Sequence, residues 1–205
     1  MRIQILLIPL AAALLAGCTS MSSIPPANIN VRQMIIPEGT AGRRIEFPLR
    51  PTYITIHSTQ NRGGTALQHA RGMLEGAYRG RSKWNRTGYL TWHFTVDDRE
   101  AIQSLPLTIQ GEHADHDGPG NRSSIAIEIC EFREPTRQRA AIKRAASLTA
   151  WLRKRYQIPL DHVVPHYHWP QHHFRSYQKN CPIILLDYGR PGPKWAGFLE
   201  LVSRS

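Results

Sequence analysis

Seven residues near the middle of the chain, Ser124-Ile-Ala-Ile-Glu-Ile-Cys130, leave it the fewest options for folding. Isoleucine at every second position predicts a β-strand, because successive side chains on a strand point to opposite faces. Ile125, Ile127 and Ile129 make the apolar face and leave Ala126, Glu128 and Cys130 on the other. A carboxylate in so apolar a strand requires a partner or a task, since burying it unpaired is costly. Glu128 therefore stands above the other acidic residues as a candidate functional group.

The surrounding pattern alternates strands and helices. Pro51-Thr-Tyr-Ile-Thr-Ile-His57 has period two, with Ile54 and Ile56 opposite Tyr53, Thr55 and His57. The polar run from Ser58 to Gly64 ends it, so His57 is expected where a strand gives way to a loop, a common address for site residues. Apolar residues at three-to-four spacing predict a helix from Thr65 to about Arg79. A second strand is expected over Gly88–Val96, with Trp92, Phe94 and Val96 on one side, and a third at Ala101–Leu105. Residues 110–123 read as a polar, Gly-rich loop. Pro135 to about Tyr156 predicts the longest helix, its stripe carrying Ala141, Ala145, Leu148 and Leu152. Its other face is basic, which we read as solvated. Together these predict an α/β fold, a single domain whose central mixed β-sheet is flanked by helices.

The chemistry concentrates in Pro165–Pro182, PHYHWPQHHFRSYQKNCP. His166, His168, His172 and His173 crowd together, with Lys179 and Cys181 just beyond. Imidazole and thiolate suit zinc, and a catalytic zinc site commonly uses three protein ligands with a fourth position for water. This stretch can supply two of the three, so a third must come from elsewhere.

Residues 1–17, MRIQILLIPLAAALLAG, place a positive Arg2 before an apolar run that ends in small residues, the layout of a secretory signal. The run is short for a membrane-spanning helix, which needs about 20 apolar residues. Leu14-Leu15-Ala16-Gly17-Cys18 resembles the lipobox of bacterial lipoproteins, which implies cleavage before Cys18 and lipid attachment to it. Residues 18–44 read as a tether and irregular arm, and 45–205 as the folded domain. The net charge of +11 favours polyanionic partners. Export and the lack of an aromatic-and-basic motif argue against nucleic acid. In an oxidising compartment a Cys130–Cys181 disulfide competes with a metal-bound thiolate at Cys181.

Four local motifs, in order, resemble one family. They are Tyr53-Ile-Thr-Ile-His57-Ser58, Leu90-Thr-Trp-His-Phe94, Asn121-Arg-Ser-Ser-Ile-Ala-Ile-Glu128 and Val164-Pro-His166-Tyr-His…Lys179-Asn-Cys181-Pro182. They are similar to those of the zinc-dependent N-acetylmuramoyl-L-alanine amidases of type 2, whose relatives include phage amidase lysozymes and the peptidoglycan-recognition proteins. The resemblance implies Zn2+ held by His57, His166 and Cys181, with Glu128 as catalytic acid and base and Lys179 stabilising the transition state. It implies cleavage of the amide between the lactyl group of N-acetylmuramic acid and L-alanine, in peptidoglycan or muropeptides. His113 matches a cleft histidine of many members, and Trp92 stands where some relatives have a catalytic Tyr; both are expected at the substrate. His168 is the fallback ligand, while His172 and His173 are expected in solvent. The implied setting is a lipid anchor in the bacterial envelope, at the periplasmic face of the outer membrane. The alternative is a non-catalytic peptidoglycan-binding module of the same fold.

Overall fold

The computed structural model of the chain describes residues 24–171 and 177–205. Residues 1–17, read above as a secretory signal, and Cys18, His172 and His173 lie outside the described residues.

Six strands form one sheet: β1 (Val31–Gln33), β2 (Tyr53–Arg62), β3 (Phe94–Val96), β4 (Ala101–Gln103), β5 (Ser124–Glu131) and β6 (Val163–Pro165). Their order across the sheet is β1-β4-β3-β5-β2-β6. Only the β3–β4 pair is antiparallel, so the sheet is mixed, as expected. The isoleucine strand β5 lies inside the sheet between β3 and β2, where both of its edges are hydrogen-bonded.

Among the described residues four α-helices complete the domain: α1 (Ala66–Leu74), α2 (Pro119–Ser123), α3 (Pro135–Tyr156) and α4 (Pro193–Arg204). Glu134 caps α3 by accepting from the N–H groups of Thr136 and Arg137, and Pro135 sits in the first turn, where its missing N–H costs nothing. Gln157 ends the helix in a left-handed conformation. The predicted stripe is the one that packs: Ala141, Ala145, Leu148 and Leu152 join Ile54, Ile56 and the three isoleucines of β5 in the main core. Phe198 and Val202 of α4 enter the same cluster. Each fully buried isoleucine contributes about 1.5–3 kcal/mol of transfer free energy.

The structure corrects the expected arm boundary near residue 44. Ile29 and Ile36 are fully buried, and β1 pairs in register with β4. Arg144 of α3 donates to the carbonyls of Asn28 and Ile29, clamping this segment to the domain. A three-residue strand is too short to display a period, so sequence alone hides it. The basic face of α3 is accordingly not simply solvated: Arg137 also pairs with Asp98.

Two further expectations change. β2 does not stop at His57 but continues to Arg62, through a register shift after Ser58 that accommodates Gln60 at φ 50°. The expected strand over 88–96 contracts to Phe94–Val96, and this redirects Trp92. Trp92 packs with Met73 and Ala126 in a smaller cluster on the Glu128 side of the sheet, rather than beside Phe94 and Val96.

Candidate metal centre and active site

The site grows out of strand register. β6, β2 and β5 run parallel, with Ile56 opposite Pro165 on one side and Ile127 on the other. The next residues along are His166, His57 and Glu128, so three positions distant in the chain form a row across the sheet. The row lies just past the carboxyl end of β6 and midway along β2 and β5. The isoleucines of β5 hold α3 on one face; Glu128 and His57 face the other.

Cys181 is brought back to this row by backbone and side-chain contacts. The N–H of Tyr167 donates to the Cys181 carbonyl at 2.9 Å, and the N–H of Ile183 donates to Ser58 Oγ at 3.0 Å. His57, His166 and Cys181 are all buried, and one potential ligand atom from each lies within 4.8 Å of the others. Cys181 Sγ is 3.8 Å from His57 Nδ1. Cys130 and Cys181 are both free thiols, so the disulfide is not formed. His168 stands apart, its ring against those of Trp169 and Tyr53, and does not join the cluster.

The electrostatics favour neutral groups. Burial, then the neighbouring His166, His113 and Lys179, hold His57 well below the usual imidazole range. Burial, followed by Lys179, takes His166 down to about 3. Burial raises Glu128 to about 8, with Glu131 adding to the rise and Lys179 opposing it. Glu128 Oε1 is 3.9 Å from His57 Nδ1, and its Oε2 is buried without a hydrogen bond. Burial also pushes the Cys181 thiol up.

A cleft of ≈ 740 Å³ opens on these groups, and Glu128, Lys179, His113 and all three cluster residues line it. Trp92 does not. It is only 6 % exposed, and its indole N–H donates to Thr95 Oγ1 at 2.7 Å, so it is core rather than a substrate contact. A wall that sequence reasoning missed comes from Arg79–Asn85, which carries Arg81, Lys83 and Trp84 into the cleft. That segment lacks any period; only its Gly and charge content hinted at a loop. Arg86 ties it down by pairing with buried Glu112 at 3.1 Å. Asn121 is a second missed residue. Its Oδ1 accepts from the N–H groups of His113 and Ala114, holding the loop that presents His113.

Residues 47–183 match the family model described as N-acetylmuramoyl-L-alanine amidase. This chain belongs to that amidase family. It is 40% identical over 166 residues to the N-acetylmuramoyl-L-alanine amidase XlyA of Bacillus subtilis (strain 168), a match covering 78% of this chain and 48% of XlyA. The amidase CwlH of the same organism is 35% identical over 181 residues, covering 86% of this chain and 62% of CwlH. The chain thus spans about half to three fifths of the length of these relatives. Among solved structures, the catalytic domain of XlyA superposes with a TM-score of 0.67 at 37% identity, covering 84% of this chain and 99% of that one. PlyL gives the same TM-score at 27% identity, covering 84% and 96%. The α/β architecture expected from the sequence is therefore the amidase fold.

Proposed function

We propose that this amidase-family chain is a zinc-dependent peptidoglycan hydrolase that cleaves the amide between the lactyl group of N-acetylmuramic acid and the L-alanine of the stem peptide. One observation carries the reading: His57, His166 and Cys181 converge within 4.8 Å at the floor of a cleft, next to a buried carboxylate. The donor set fits zinc, since imidazole and Cys sulfur are its preferred ligands and Cys181 is a free thiol. Bound there, zinc would supply Lewis-acid polarisation of the scissile carbonyl and a more acidic water.

The remaining steps belong to side chains. Beside a bound dication Glu128 would be ionised despite its burial; it accepts the proton of the attacking water at a carboxylate oxygen and passes it to the departing L-alanine nitrogen. The unpaired Oε2 leaves that exchange open to it. Lys179 lines the same cleft and offers its ammonium to the oxygen that gains negative charge as the carbonyl is attacked. The long wall at Arg79–Asn85 lines the same cleft and offers Arg81, Lys83 and Trp84 to the glycopeptide. A binding module without activity would have no need of the buried Glu128 beside three potential ligands, so the hydrolase is favoured.

Residues 1–17 and the Leu14–Cys18 motif support export and lipid attachment at Cys18, with the domain working in the bacterial envelope at the periplasmic face of the outer membrane. Among the described residues no helix is long and apolar enough to cross a membrane.

Digestion of purified muropeptides tests the activity, with products resolved by chromatography and mass. Released stem peptides and intact glycans are expected. Cleavage at a glycosidic bond, or no cleavage by zinc-loaded protein, would overturn the assignment.

A further inference from the structure

His57 has two ring nitrogens in different surroundings. Nδ1 faces Cys181 Sγ at 3.8 Å, and Nε2 faces Nδ1 of His113 at 3.1 Å. The two rings stand perpendicular, with centroids 5.1 Å apart. One of the two facing nitrogens must carry the proton and the other the lone pair. Which one is decided on the other side of His57. Its Nδ1 is the nitrogen that faces Cys181, and a metal held by the cluster takes the lone pair of that nitrogen. The ring proton then lies on His57 Nε2 and is donated to His113 Nδ1. His113 Nε2, buried and without a hydrogen-bond partner, carries the other ring's proton.

We propose that His113 is a positioning residue that sets the tautomer of His57 by accepting its Nε2–H. This rests on the zinc reading above and deepens it. A histidine that ligates a metal commonly gives its other ring N–H to an acceptor, which fixes ring orientation and raises ligand basicity. That acceptor is usually a carboxylate, carbonyl or water; here it is a second imidazole. His113 is in turn held by Asn121, whose Oδ1 accepts its backbone N–H at 2.9 Å. The same histidine lines the cleft, so its role at the substrate and its role behind His57 are separable only by experiment.

The test compares His113→Ala and His113→Asn with the wild-type chain, using zinc affinity from competition with a chromophoric chelator. The Asn Oδ1 can occupy the place of the imidazole Nδ1 and accept the same proton; Ala cannot. His113→Ala should weaken zinc by about 10- to 100-fold, and His113→Asn should recover most of the loss. In the zinc-loaded wild type, nitrogen NMR should show His57 protonated at Nε2 and metal-bound through Nδ1. Wild-type affinity in His113→Ala, or His57 bound through Nε2, would overturn the proposal. If His113→Ala does not fold, the wild-type spectrum alone decides. A wild-type chain that binds no zinc would instead overturn the zinc reading itself.

Discussion

His57 and Glu128 occupy the same register position on neighbouring parallel strands, and their side chains approach to 3.9 Å. The register behind this contact is set by the sheet and not by a flexible loop, so the backbone positions survive substitution of either side chain. Glu128→Gln should therefore keep the fold and bind zinc as the wild type does. It should lose about 100- to 10,000-fold in muropeptide hydrolysis, the range for removing a general acid–base group. Equal turnover by the variant would remove Glu128 from the mechanism.

Cys181 contributes to the cluster but not to the main core. Cys181→Ala is expected to fold with a melting temperature close to that of metal-free wild type, while elemental analysis after dialysis finds little zinc. Full zinc occupancy in this variant would show that the thiol is not a ligand.

His93 predicts an acid sensitivity. Its Nδ1 accepts from the N–H of Ala126 and its Nε2 donates to the Ile109 carbonyl, so the buried ring is held neutral. A proton on Nδ1 would oppose the Ala126 N–H. Burial lowers its pKa to about 4 from an ordinary 6.5, with the Ile109 bond opposing the fall. The unfolded chain then binds the extra proton first, so stability is complete above pH 6.5 and falls as the pH drops towards 4. The loss amounts to roughly 3 kcal/mol, with no further contribution below that. Denaturant titrations at pH 7 and pH 4.5 measure the total loss, to which the buried His57, His113 and His166 add in metal-free protein. A His93 ring signal that titrates near 6.5 in the folded protein would contradict it.

Arg144 donates to four carbonyls, those of Asn28, Ile29, Asp97 and Asp98. Arg144→Ala should cost about 2 kcal/mol, as for hydrogen bonds to a charged group. It should also expose the arm around Ile29 to proteolysis before the rest of the domain. Unchanged stability together with an unchanged cleavage pattern would show that β1 pairing alone holds the arm.

Trp92 offers a test of its place in the core. Trp92→Phe removes the indole N–H that reaches Thr95, and should lower stability by about 1 kcal/mol while leaving KM for muropeptides unchanged. A raised KM with unaltered stability would return Trp92 to the cleft.

The periods of β5 and α3 are local properties, and the chain wrote them plainly: alternating isoleucines for one, and for the other a capped, Pro-started stripe of Ala and Leu. The types of residue able to bind metal, and the oddity of Glu128 among isoleucines, were equally visible. Tertiary structure decided which of them meet. The row of His166, His57 and Glu128 depends on the register of three parallel strands whose pairing involves the whole sheet, and no local pattern encodes register between distant segments. The same holds for Trp92, whose side of the sheet changed because β3 begins six residues later than its periodicity suggested. It holds also for His113, which meets His57 only after Asn121 has folded its loop inwards. Sequence chose the chemistry, and packing across the sheet chose the neighbours, because side-chain period is fixed residue by residue while register is a property of the assembled sheet.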